Sequence, residues 1–188
     1  MTARDGSPAA RAPAARYSPL ARALHWVVAL LVPIQLGLGW IAEHSPAADG
    51  GMRMLRWHYQ LGMLLLLAML LRLATRLARG VPKAQPGQPR WQRRIAQATH
   101  VGFYLLLCLL PASGYIVWVW MGAPMDVLGT IEVPRMFRPP ADDERGRAIA
   151  WYLHVFCAWS LAALIVLHVA AVLWHGLVRR DGLIRQMW

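Results

Sequence analysis

Carboxylates are scarce in this chain. Nine Asp and Glu stand against 20 Lys and Arg among 188 residues, and charges of both signs make up only 15%. A soluble domain carries about a quarter of its residues as charges, so an ordinary water-facing fold is excluded. Cysteine is nearly absent too. Cys108 and Cys157 lie inside apolar runs without CxxC spacing, which argues against a disulfide framework or a thiolate metal site and leaves packing as their role. The first fifteen residues contain no apolar stretch, so no cleavable signal peptide is expected there. Residues 1–18, MTARDGSPAARAPAARYS, are polar and rich in Pro and Ala, and read as a disordered tail ahead of one domain over 19–188.

Hydrophobic residues are abundant at 57%, with a mean hydropathy of +0.37. They are gathered into four runs: Leu20 to Ile41, Met54 to Leu77, Ile95 to Met121 and Ile149 to Val178. Each is long enough as a helix to cross the ~30 Å hydrocarbon core of a bilayer. The expected fold class is therefore all-α, an integral membrane four-helix bundle. Pro33 and Pro111 fall inside the first and third runs, where a kink rather than a break is expected. No run contains Asp or Glu, which argues against a transporter built on buried carboxylates. Trp26, Trp40, Trp57, Trp118, Trp120, Trp151 and Trp174 sit mostly at run ends, as an interfacial aromatic belt does. No clear internal repeat is visible.

The basic residues sort by connection. Arg4, Arg11, Arg16 and Arg22, then Arg72, Arg76, Arg79, Lys83, Arg90, Arg93 and Arg94, then Arg179, Arg180 and Arg185 share one side with only Asp5 and Asp181. Arg53, Arg56, Arg135, Arg138, Arg145 and Arg147 lie on the other with the remaining seven acids. By the positive-inside rule both termini and the second connection are cytoplasmic. The formal charge of +11 is thus mainly a topology signal. Its partner is membrane lipid, and nucleic acid is set aside.

Histidines interrupt all four runs. His154 and His168 are fourteen residues apart on one uncharged stretch, roughly 21 Å along a helix and within about 40° of the same direction. Ionisable groups at that depth are costly and usually functional. Orientation places His58 and His154 near the periplasmic face, and His25, His168 and His100 near the cytoplasmic one. Pairing by depth gives His58 with His154 and His25 with His168. Facing imidazoles without a carboxylate or thiolate nearby suit the two axial positions of a planar haem; zinc prefers four compact ligands or an open position beside a polar group. Two haems would form a wire across the membrane.

The segments RALHWVVALLV, MLRWHYQLGMLLLLAMLLRLATR, ATHVGFYLLLCLLPASGY and LHVFCAWSLAALIVLHVAAVLWH together resemble the bacterial cytochrome b561 family, over roughly residues 17 to 188. The resemblance implies a multi-pass dihaem cytochrome b of the bacterial inner membrane, with two haem b held by His25, His58, His154 and His168 as iron ligands and electrons exchanged with ubiquinone. Short stand-alone members look like the superoxide oxidase type, which takes electrons from superoxide outside and reduces quinone inside. On that reading Arg53, Arg56, Arg145 and Arg147 attract the anion, although the third loop mixes acids with bases in DDERGR. An alternative is an electron-transfer subunit that docks a periplasmic dehydrogenase or hydrogenase as redox partner. A third, from another class, is a small transporter or structural membrane protein without haem.

Three of the remaining polar positions keep two readings each. Arg72 lies fourteen residues after His58, on nearly the same face, and either pairs with haem propionates or snorkels to headgroups. His100 is a partner of a propionate or quinone, or an interfacial histidine. His175, one heptad beyond His168, suits a quinone carbonyl or a plain interfacial role. His44 reads as a solvated residue in a polar loop.

Overall fold

A computed structural model describes residues 16–47, 50–80, 88–124, 126–127 and 129–188. Most of the amino-terminal tail, with Arg4, Asp5 and Arg11, lies outside these residues, as does Lys83. Four long helices dominate: α1 (Pro19–His44), α2 (Gly51–Arg79), α3 (Arg90–Met121) and α4 (Glu144–Leu173). All four are long and apolar enough to cross a membrane. Each overruns its apolar run, because the polar residues at the ends continue the helix beyond the hydrocarbon, where caps then stop it. The Ser18 hydroxyl accepts from Ala21 N at the start of α1, and the Asp143 carboxylate accepts from Gly146 N at the start of α4. Gly80 and Gly122 end α2 and α3 with positive φ. Both Pro33 and Pro111 sit inside unbroken helices.

The chain folds as two hairpins. α1 packs along α2 and α3 along α4, α2 touches α3 more lightly, and α1 and α4 barely meet. Lipid-facing positions are apolar: Leu30, Leu67, Leu105, Phe156 and Val166 are all exposed, the inverse of a soluble bundle. The buried core is a waist at mid-height made of Val28 and Val32 from α1, Leu65, Ala68 and Met69 from α2, Leu107 from α3 and Leu161 from α4. On α4, Leu161 falls midway between His154 and His168, which sets this cluster between the two histidine levels.

One end is closed by the α3–α4 connection. It contains a two-stranded antiparallel hairpin, β1 (Asp126–Val127) with β2 (Ile131–Glu132). The buried Gln60 amide donates to the Asp126 carbonyl at 2.6 Å, and the Tyr115 hydroxyl donates to Pro134 O and accepts from Met136 N, both at 2.8 Å. At the opposite, strongly basic end, α4 widens into a π-helical turn at Trp174–Arg179, and a 3-10 turn, Leu183–Gln186, carries the chain back to α1. There Trp26 donates its indole N–H to Met187 O at 3.0 Å, and Arg22 donates to Trp188 O.

Candidate functional site

At the hairpin end, His58 of α2 and His154 of α4 face each other with ring centroids 6.0 Å apart. Both are seated in the same way by a neighbouring helix. His58 Nδ1 lies 3.0 Å from the Gln35 carbonyl of α1, and His154 Nδ1 lies 3.1 Å from the Leu110 carbonyl of α3, with the buried Ser113 hydroxyl at 3.0 Å. A carbonyl can only accept, so each Nδ1 carries the proton and each Nε2 keeps its lone pair for a metal. One helical turn beyond each carbonyl stands a glycine. A Cβ at Gly39 would meet His58 Cε1 at 3.0 Å, and one at Gly114 would meet His154 Cε1 at 3.1 Å. The rings occupy the space that a side chain would take.

At the basic end the structure gathers three histidines rather than two. His168 of α4 has its ring centroid 6.3 Å from His100 and 5.3 Å from Phe103, both on α3. His25 of α1 lies within electrostatic reach of His168, His100 and Arg72. Arg72 reaches across to α1 and donates to the Ala21 carbonyl at 3.4 Å. Ring spacing alone would pair His168 with His100, but those two stand on tightly packed neighbours: a Cβ at Gly102 would already approach Leu164 Cδ2 at 3.1 Å. His25 stands on α1, which packs against α4 less closely than α3 does.

His175 is drawn away from this group. It sits in the π-helical turn with Nδ1 2.5 Å from Asp181 Oδ2 and its ring edge against Trp174. His44 differs from the sequence expectation. It is the last residue of α1 rather than part of a loop, exposed and stacked on Trp40 at 3.9 Å with Nδ1 near the Trp40 carbonyl, because a ring four residues on lies directly over its helical neighbour. Of the four arginines expected to attract the anion, Arg56 pairs with Asp126 at 3.6 Å and Arg147 with Glu144. The seats of Gly39, Gly114, Gln35 and Ser113 were missed from sequence. The only signal was isolated glycine inside an apolar helix, which marks close approach without naming the neighbour.

The donor set fits a haem. His58 and His154 would hold its iron through Nε2, since each Nδ1 is committed to a backbone carbonyl, and the group would supply one-electron redox chemistry. Among the described residues there is no cluster of His, Cys, Asp and Glu able to hold a compact metal ion. Fold and site together define a class: a four-helix membrane protein with imidazoles stacked at two depths, one set on each side of an apolar waist.

The comparisons name it. The sequence model of the prokaryotic cytochrome b561 family matches residues 16–188. The chain is 30% identical over 173 residues to cytochrome b561 homolog 2 of Escherichia coli (strain K12), covering 92% of this chain and 90% of that protein. It is 26% identical over 176 residues to cytochrome b561 homolog 1 of the same organism, covering 92% and 96%. This chain belongs to the prokaryotic cytochrome b561 family and is a membrane-spanning electron-transfer protein, with haem b as the cofactor that the family implies.

Proposed function

We propose that the chain holds two haem b groups, one between His58 and His154 and one between His25 and His168, and that it carries electrons from a donor at the hairpin end to ubiquinone at the basic end. Bound haem supplies one-electron redox chemistry; the side chains hold and orient it. The observation that supports this reading is the repeated seat at His58 and His154, where a backbone carbonyl fixes the tautomer and a glycine makes room for the ring. His154 and His168 stand on one helix roughly 21 Å apart, so two groups at these levels bridge a gap that neither site spans alone. Arg72, beside His25, is suited to a propionate. His100, left outside the pair, is positioned to hydrogen-bond a quinone, and His175 with Asp181 frames the same end.

By the positive-inside rule the basic end and both termini face the cytoplasm of the bacterial inner membrane, with residues 19–188 as the single domain. The donor we favour is superoxide, and the protein is then a superoxide:ubiquinone oxidoreductase. Anaerobic mixing of quinone-loaded protein with superoxide tests it: haem absorbance rises to the reduced form and decays as quinone is consumed. A haem that superoxide leaves oxidised would give the lead to the second reading, an electron-transfer subunit for a periplasmic dehydrogenase or hydrogenase. The ion pairs of Arg56 and Arg147 favour that alternative, because they reduce the free positive charge available to a small anion.

A further inference from the structure

The basic end contains a cavity of about 230 Å³, lined by no histidine and framed by the start of α1, the last two turns of α2, Tyr104 of α3 and the returning carboxy-terminal segment. Four arginines from two separate stretches line it: Arg16, Arg72, Arg76 and Arg79. Among the described residues no carboxylate lines it. Arg76 is held with its guanidinium 5.2 Å from the centre of the Tyr104 ring, which fixes its direction as a flexible surface arginine is not fixed. Arg72, the deepest, is partly engaged by Ala21 O. Arg76 and Arg79 follow it by roughly 6 and 10 Å along the helix axis, which carries them from the histidine level out to the membrane boundary.

We propose that this cavity binds the headgroup of an anionic phospholipid. With Arg72 given to the cofactor, Arg16, Arg76 and Arg79 converge without a counter-ion among the described residues; they need a ligand with more than one negative charge or with oxygens for several bidentate contacts, and phosphate matches the arginine fork. At the interface between helices, at headgroup depth, phospholipid is the phosphate source at hand. Tyr17 and Tyr104 add hydroxyls to the wall. A headgroup with two phosphates meets more of these three arginines than one with a single phosphate, so a diphosphatidyl lipid is preferred.

The test uses the haem-loaded full chain in phosphatidylcholine nanodiscs doped with cardiolipin or phosphatidylglycerol, released into the gas phase for native mass spectrometry. Cardiolipin stays bound in preference to phosphatidylglycerol, and both in preference to phosphatidylcholine. The double variant Arg76→Gln, Arg79→Gln loses roughly thirtyfold in retained cardiolipin, the equivalent of two basic residues at a membrane surface, with haem content unchanged. The charge-conserving pair Arg76→Lys, Arg79→Lys keeps most of the retention, which separates loss of charge from loss of fold. Equal retention of phosphatidylcholine and cardiolipin would overturn the proposal. So would inorganic phosphate binding as tightly as the lipid, or a haem deficit in the glutamine variant, which would assign these arginines to the cofactor.

Discussion

At the scale of single residues, the proposed function rests on the histidines, and two of their rings stand against glycines. His58→Ala or His154→Ala is expected to remove one haem and spare the other, and His25→Ala or His168→Ala to do the reverse. His100→Ala is expected to keep both, since α3 and α4 pack too closely for a macrocycle between them. Haem per protein by pyridine haemochrome checks all five, and a haem lost from His100→Ala alone would reassign the inner pair. The glycine seats give a second prediction. Gly39→Val puts carbon where His58 Cε1 lies only 3.0 Å from an added Cβ, whereas Gly37 has nothing within 4 Å on the same helix. The Gly39 variant is therefore expected to lose the haem at the hairpin end, and Gly37→Ala to leave the spectrum untouched. The histidines were legible in the sequence because an imidazole in an apolar run has few other reasons to be there. Gly39 and Gly114 were not, because a seat is defined by which ring it faces, and that depends on helix pairing across the bundle.

At the scale of elements, the four spans were readable because hydropathy reports depth directly, while their ends were not, since helices run on into water until a cap stops them. The connections were still less legible. The residues just after the turn Leu183–Gln186 are held through the Met187 and Trp188 carbonyls, which accept from Trp26 and Arg22, contacts more than 160 residues apart in sequence that no local pattern announces. The π-helical turn at Trp174–Arg179 likewise takes His175 off the simple heptad that led from His168, and Asp181 captures it. The α3–α4 connection offers a test of how such a segment is fastened. The Tyr115 hydroxyl serves two backbone groups, Pro134 O and Met136 N. Tyr115→Phe keeps the ring against Phe137 but strands both partners. Leaving such groups unpaired costs about 1–3 kcal/mol where water is excluded, and this segment is exposed, so the lower end applies. Hydrogen exchange at Met136 is expected to quicken by roughly five- to tenfold while the core helices are unchanged; equal protection in both proteins would show that the hydroxyl holds nothing.

At the scale of the whole molecule, charge is the organising asymmetry. In the sequence, the two termini and the second connection hold fourteen of the 20 basic residues with two acids, and the first and third connections hold six with seven acids. Reporter fusions after Gly80 and after Trp188 are expected to behave as cytoplasmic, and one within Pro139 to Asp143 as periplasmic; the opposite pattern would reverse the direction of electron flow. The same ledger bears on how an anionic donor would arrive. The hairpin end has no net positive charge, and two of its arginines already face carboxylates, Arg56 at Asp126 and Arg147 at Glu144. Arg53 and Arg145 are the other two that sequence alone would assign to steering. If superoxide is the donor, Arg53→Gln with Arg145→Gln is expected to slow haem reduction severalfold and to flatten its dependence on ionic strength, as loss of exposed positive charge does. Arg56→Gln and Arg147→Gln are expected to do less, because each removes a charge that is already balanced. Asp126→Asn and Glu144→Gln are expected to speed the reaction by freeing those arginines. Stopped-flow rates of haem reduction across a salt series measure all six changes. A rate that rises with salt would mean that the net field at this end repels the anion, and carboxylate variants that slow the reaction would mean that encounter owes nothing to these charges.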